Sequence, residues 1–570
     1  MPSSALRFDW PAGAVLTLLC LALYIPGLTT IPPIDRDEAR FAQATKQMLA
    51  TGDVLRPRFQ SDYRFKKPIG IYWLQSVAVR IAKRRGNVIW PYRTPSMLGA
   101  IAAVLLTYRL GRRLFAWPVA SLGAALLASS ALLTVEAHSA TTDAVLLAVV
   151  VAAQGSLAAL YASARRGTIA ASHHAATFWL SQGAGILIKG PVVPLVSGLT
   201  LAALSAVERG SGTEVRRRML RGLRAAWGVP LMLAVALPWP IAVGWASHGA
   251  LYREWIGGDL LSKVLGGQES HGAPPGFYLL LAPATFWPGS FAALAGGVRA
   301  VRRRARTGER FCLAWLVPTW IFFELMPTKL PHYVLPTYPA LALLVARTVA
   351  ARPAQRRSLL LHRLLRLGFT TWGVLTVAFV LMIVAALADY ASEARRPALI
   401  AAAVVVVAVA ILSTSLGRRG STTWAAWGAV VASVALFAPL LQWGLPNVDA
   451  LWLSRAVAGE IAKLPHSVDG QRRLAAVGYH EPSLVFLVDT EVSLSEPSGG
   501  VEFLRDHPSG LVLVSDDMRW EFLHAADAVG MQAREIWSIE GIDYSKGRKT
   551  RLRLFERPSP AAGLPSSDKQ

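Results

Sequence analysis

Between positions 35 and 40 the chain places three carboxylates and two arginines, Asp35-Arg36-Asp37-Glu38-Ala39-Arg40, directly after its first long apolar run. Anchoring a helix needs no such cluster, whereas handling a charged substrate does. Other ionisable residues recur at the ends of apolar runs: Arg58, Lys66 and Lys67, then Glu136, His138 and Asp143. Lys189 follows in Ile188-Lys189-Gly190-Pro191, where a turn wants Gly and Pro but no cation. Arg253, Glu254, Lys263, Glu269 and His271 come next, and finally Lys329, His332 and Tyr333. Carboxylates among several cations at a membrane surface suit a phosphate-linked substrate. The cations neutralise the phosphate and stabilise it as a leaving group, while a carboxylate orients or deprotonates the acceptor.

Plainer roles compete. Asp37 and Glu38 also suit the first turn of a helix, and Asp143, after Thr141-Thr142, suits a cap. Lys67 can snorkel. His173-His174 reads as a solvated cytoplasmic pair, and Tyr479-His480-Glu481 as a polar loop. No His, Asp or Glu spacing specifies a metal, so no metal ligand is assigned, although the carboxylates are compatible with a divalent ion.

The elements that must carry these residues are membrane helices. Of 570 residues, 53% are hydrophobic and 16% charged, mean hydropathy is +0.39, and many apolar runs approach the roughly 20 residues that cross a bilayer. A polytopic α-helical membrane protein follows, with about 13 transmembrane helices. They are expected at 12–31, 93–110, 115–135, 143–162, 174–188, 191–207, 226–246, 276–298, 311–326, 333–349, 367–388, 397–415 and 422–440. The apolar stretch 68–82 is half a bilayer long and reads as an interfacial helix. No cleavable signal peptide is needed to explain the start of the chain.

Alternate loops hold 25 arginines, from Arg109, Arg112 and Arg113 to Arg418 and Arg419. The intervening short loops hold few basic residues. By the positive-inside rule the arginine-rich loops and the N-terminus are cytoplasmic, so the candidate site residues share the external face. The net charge of +24 is then topology and lipid contact, not nucleic-acid binding. Cys20 and Cys312 lie in apolar segments and suggest no disulfide.

The expected domains are a membrane domain over 1–443 whose external first loop, 32–92, carries interfacial helices, a small periplasmic α/β domain over 444–557, and a disordered tail over 558–570. Strands are expected at 474–479, 511–515, 536–544 and 551–555, helices at 501–506 and 518–528, and a turn at Ser545-Lys546-Gly547.

The first loop, with Phe65-Lys66-Lys67-Pro68-Ile69-Gly70-Ile71-Tyr72-Trp73, Lys189-Gly190-Pro191 and Lys329-Leu330-Pro331-His332-Tyr333-Val334-Leu335-Pro336, resembles a group of bacterial C-type membrane glycosyltransferases. That group includes lipid A aminoarabinose transferase and the protein mannosyltransferases. The resemblance covers roughly residues 12–345. It implies an inner-membrane enzyme that takes a sugar from a polyprenyl-phosphate donor and passes it, on the periplasmic side, to lipid A, another envelope lipid or glycan, or a protein hydroxyl. By motif, Asp37 would be the key carboxylate, Arg40 its neighbour, Lys67 the donor-phosphate contact, Asp143 the second acid, and Lys329 part of a loop near the lipid. Lys66 stands where the aminoarabinose enzymes usually carry an acid, which weakens that particular sugar. The rival expectation is a lipid or sugar-lipid flippase. Its ionisable groups should sit near mid-membrane on broken helices.

Overall fold

A computed structural model describes residues 10–83, 86–210, 212–253, 272–351, 359–388, 396–465 and 472–558. Helix α1 (Trp10–Tyr24) leads into α2 (Asp37–Thr51) and α3 (Gly70–Ala82), with a two-stranded ribbon, β1 (Arg58–Phe59) and β2 (Asp62–Tyr63), between them. Next come α4 (Trp90–Leu114), the bent pair α5 (Trp117–Ala128) and α6 (Ala131–Ala137), then α7 (Asp143–Arg165), α8 (Ser172–Lys189) and α9 (Val192–Val207). Later helices cover Ala225–Ala246, Phe277–Thr285, Gly289–Arg302, Thr307–Leu325, Tyr338–Val349, Leu359–Ala388, Arg396–Arg418 and Thr422–Pro439.

Helix occupies each of the thirteen expected segments. Among the described residues, five helices are long and apolar enough to cross a membrane, or up to seven if each bent pair is one span. The segment expected as one span over 276–298 is two helices at 119°. An amphipathic helix that the apolar runs did not reveal, Thr213–Leu223, carries Arg216, Arg217, Arg218 and Arg221.

Helix α3 has 13 residues, about 20 Å at 1.5 Å per residue, too short to cross a bilayer. Leu74, Val77 and Ile81, spaced along one face, are exposed, while Ile71, Tyr72, Gln75 and Val79 are buried on the other. An apolar outer stripe on a short helix suits the membrane–water boundary. Helix α2 begins with Asp37 and Glu38, where the helix dipole favours carboxylates. It ends at Gly52, whose left-handed backbone returns an N–H to Met48 O.

A buried ion pair ties this first loop to the bundle. Arg93, fully buried on α4, donates to both carboxylate oxygens of Glu38 at 2.7 and 2.8 Å, and to the carbonyls of Leu28, Ile31 and Pro32. Glu38 also accepts the backbone N–H groups of Ile34 and Ala140, each at 2.8 Å. One carboxylate therefore receives four hydrogen bonds and joins the loop after α1, the start of α2, α4 and the turn before α7.

The C-terminal domain is a five-stranded sheet in the order β4-β3-β5-β7-β6. Strands β3 (Leu474–Val477), β4 (Ser493–Ser495) and β5 (Leu511–Ser515) are parallel. β6 (Arg534–Asp543) and β7 (Arg548–Glu556) form an antiparallel hairpin on β5. β3 and β5 are buried along their whole length, as central parallel strands are when both faces are covered. The domain rests on the first loop: Phe486 is buried with Ala42, Val79, Ile89, Tyr92 and Ala140. Polar links surround that contact, among them Gln43 to Thr490 and Gln60 to the carbonyls of Thr490 and Val492.

At the same seam Asp35 accepts the N–H of Ser483 at 3.0 Å, and its own N–H donates to the Tyr544 hydroxyl. Burial and the nearby Glu481 carboxylate raise Asp35 to about 7.

Two predictions follow from these joints. Arg93→Met leaves Glu38 buried without a counter-charge and should lower stability by about 3–5 kcal/mol, read as a lower thermal midpoint in detergent. Adding Glu38→Met should recover only part of it, because the backbone N–H groups of Ile34 and Ala140 lose their acceptor. The raised Asp35 group binds its proton more tightly in the folded chain than in the unfolded one. Its stabilising contribution is therefore full at low pH and fades as pH rises from about 4 to about 7. Asp35→Asn should flatten that part of the profile of thermal midpoint against pH.

Candidate active site

The site is built where α7 begins and α8 ends. The two helices run antiparallel, which sets Asp143, the first residue of α7, beside Lys189, the last of α8. The Lys189 ammonium donates to Asp143 Oδ1 at 2.5 Å. Gly190 ends α8 immediately afterwards with φ +62 and ψ −139, a conformation that side chains resist. Gly70 at the start of α3 lies so close to α8 that a Cβ there would meet Leu187 O at 2.7 Å. That approach carries Lys67 toward the pair, and its charge acts on both Asp143 and His332.

His332, in the short helix Pro331–Thr337, stands between two carboxylates. Its Nδ1 is 3.6 Å from Glu136 Oε1 and its Nε2 is 3.9 Å from Asp143 Oδ2. Both separations exceed a direct hydrogen bond. Enclosure in the site lowers His332 to about 4 against the pull of Asp143, with Lys189 and Lys67 adding to the drop. The imidazole is neutral at pH 7. Thr141 donates to Glu136 Oε2 at 3.0 Å. The Lys189 ammonium lies 5.5 Å from the centre of the Tyr333 ring, within cation–π range.

Asp37 faces the same space, and its charge acts on Glu136 and His332. Its side chain is 54% exposed, and it meets Arg64 Nη2 at 3.7 Å. Arg64 is itself held, donating to the Tyr72 hydroxyl at 3.1 Å and lying 4.9 Å from the Phe41 ring centre.

The fold thus brings Asp37, Asp143, Lys67, Lys189, His332 and Tyr333 together, and adds Glu136. It corrects Glu38: the Arg93 pair and two backbone N–H groups consume this carboxylate, so it serves structure and not proton transfer. Lys329 is placed at the end of the helix Thr307–Leu325. It is 4% exposed and donates at 2.5 Å to Met326 O, capping that helix. Arg40 and Lys66 are exposed, and Arg40 acts on Glu481 of the C-terminal domain. Arg58 stacks on Tyr63 at 4.6 Å and lines a separate cavity with Asp53 and Arg56. His271 lies outside the described residues.

Sequence reading missed Arg64 and Arg93 as functional partners. Arg93 carried a usable signal, since a charge in an apolar helix requires a partner. Among the described residues no group of three or more His, Cys, Asp or Glu side chains could hold a metal ion.

Acid, base and cation groups thus gather at the mouths of the helices beside a polar first loop. Residues 66–239 match the family model described as dolichyl-phosphate-mannose-protein mannosyltransferase. The chain is 30% identical over 332 residues, 57% of each chain, to undecaprenyl phosphate-alpha-4-amino-4-deoxy-L-arabinose arabinosyl transferase 1 of Pseudomonas fluorescens. It is 29% identical over 417 residues, 72% of each chain, to the corresponding transferase of Pseudomonas paraeruginosa. Its fold is similar to that of ArnT from Cupriavidus metallidurans. The apo structure superposes with a TM-score of 0.70 at 20% identity, covering 95% of this chain and 97% of that one. The form bound to undecaprenyl phosphate gives 0.72 at 19% identity, covering 98% and 100%. The resemblance read from the motifs holds: the chain is similar to the aminoarabinose transferases and, over residues 66–239, to the protein mannosyltransferases.

Lys67→Met and Lys189→Met should each lower the rate of sugar transfer by about 10²–10³, as loss of one preorganised charge contact does. Lys66→Met, at an exposed position, should stay within a few-fold of wild type. Turnover of a radiolabelled lipid-linked sugar by purified variants checks both.

Proposed function

We propose that the enzyme moves a sugar from a polyprenyl phosphate to an acceptor at the periplasmic face of the bacterial inner membrane. The observation that carries this reading is the contrast among the site carboxylates. Asp143 and Glu136 are buried and engaged by Lys189 and Thr141, whereas Asp37 is solvent-facing and loosely paired. In this reading Lys67 and Lys189 hold the donor phosphate. The acceptor oxygen attacks the anomeric carbon, the bond from that carbon to the phosphate oxygen breaks, and the polyprenyl phosphate leaves with its charge neutralised by the lysines. A hydroxyl acceptor passes its proton to Asp37; a phosphate acceptor needs only to be positioned there. Asp143 keeps Lys189 charged and aimed, and neutral His332 separates the two buried carboxylates without adding a charge.

The names of the relatives support undecaprenyl phosphate-linked aminoarabinose as a donor, and the motif resemblance supports lipid A among the acceptors. Lys66 in place of an acid supports testing neutral sugars alongside it. About thirteen spans over 1–443, a cytoplasmic N-terminus and a periplasmic α/β domain over 444–557 complete the proposed arrangement. The arginine-rich loops support its orientation.

Asp37→Asn should abolish transfer, by about 10² or more for a lost general base, with an unchanged thermal midpoint. Mass spectrometry of lipid A and total envelope lipids from a deletion strain, complemented with wild type or D37N, reads both the sugar and the acceptor. A fully active D37N protein would remove Asp37 from the chemistry.

A further inference from the structure

At the opposite end of the α7–α8 pair lies a second polar cavity that sugar transfer does not use. It has a volume of about 190 Å³ and is lined by Arg109 and Arg113 of α4, Ser156 of α7, and His173, His174 and Thr177 of α8. Gly155 also lines it and stands twelve residues beyond Asp143, about 18 Å along α7 at 1.5 Å per residue. The volume falls below the roughly 300–1,000 Å³ typical of sites for drug-sized ligands, so the cavity suits a compact group. Four basic side chains converge on it, and no carboxylate lines it among the described residues.

Arg109 and His173 are exposed at the cavity rim, and Arg113 and His174 are half-buried. Arg113 is fixed by donating one N–H to Gly155 O at 3.2 Å, which leaves its other donors for a ligand. The two histidine rings lie with centres 4.0 Å apart, tilted at 51°, in the first turn of α8. Two arginines beside the start of α8 suit an anion by charge and by their forked donors. Leu106 and Val151 add an apolar wall, along which a hydrocarbon chain can leave the polar floor.

We propose that this cavity binds a phosphate group, carried by an anionic phospholipid headgroup or present as free phosphate, at a site separate from the donor site. Basic pockets between membrane helices on the cytoplasmic side recognise phospholipid headgroups by this chemistry. The pair His173-His174, which a sequence reading leaves solvated, gains a role there. The orientation rests on the topology proposed above; the anion chemistry does not.

The test uses the purified full-length chain, delipidated in detergent and supplied with phosphatidylglycerol or phosphatidylcholine, followed by native mass spectrometry. Wild type should retain one phosphatidylglycerol per chain in preference to phosphatidylcholine. R109Q/R113Q should lose that adduct by roughly 30-fold, from about one kcal/mol per basic residue. R217Q/R221Q, on an exposed amphipathic helix, should keep it. H173E, a single exposed substitution, provides a second charge test, and its adduct should fall with that of R109Q/R113Q. Displacement of the lipid by inorganic phosphate alone assigns the free ion, and persistence in excess phosphate assigns the lipid. Equal retention of the two lipids with no phosphate binding, or equal loss in R217Q/R221Q, overturns the site. Sugar transfer by R109Q/R113Q should continue, so failure here is distinguishable from failure of the proposed transferase mechanism.

Discussion

Arg93 and Glu38 together cost the bundle two desolvated charges, and their geometry shows how that cost is offset. Every oxygen lone-pair direction that matters on Glu38 is used, and the guanidinium spends its donors on that carboxylate and three carbonyls. A buried pair is weak grounds for net stability, but it is strong grounds for register. The same carboxylate touches Ile34 and Ala140, so Asp37, one residue before it, and Asp143, three residues after Ala140, are placed relative to one another by one joint. The first loop can therefore be polar and still sit at a defined height over the helices.

From that joint the active site needs only short connections. Helices α7 and α8 return the chain so that a carboxylate at one helix start meets a lysine at the next helix end. The tight turn at Gly190 and the close approach at Gly70 deliver the remaining cation. The C-terminal domain closes over the loop through Phe486 and Asp35. The loop is thus held between two bodies, while Asp37 itself stays open to solvent.

Much of this was legible in the residues, and the limits are physical. Apolar runs located helices because burial in lipid demands unbroken hydrophobicity. They could not show the 60° break between α5 and α6, which depends on packing. Periodicity missed the Thr213–Leu223 helix because its one apolar face is short and its other face is almost all arginine. In the C-terminal domain four strands were readable from their apolar character, while three-residue β4 carries too little pattern. Among site residues, Lys189 was readable because a Gly-Pro turn has no need of a cation. Glu38 misled because adjacency to Asp37 in sequence puts the two side chains about 100° apart around a helix. One of them had to face the bundle.

That angular separation explains the chemistry more deeply than the motif does. A transferase acting on a charged donor needs fixed groups that never change partners and one group that does. Glu38 and Asp143 are locked by charge-paired hydrogen bonds whose loss would strand charge in a poorly solvated space, and Glu136 accepts one from Thr141. Asp37 has a longer, 3.7 Å contact with Arg64, an arginine already anchored by Tyr72 and Phe41. It can move toward an acceptor without breaking anything that holds the fold. In the proposed mechanism reactivity follows from incomplete satisfaction: Asp37, the site carboxylate least tied into the structure, is the one with capacity left for substrate.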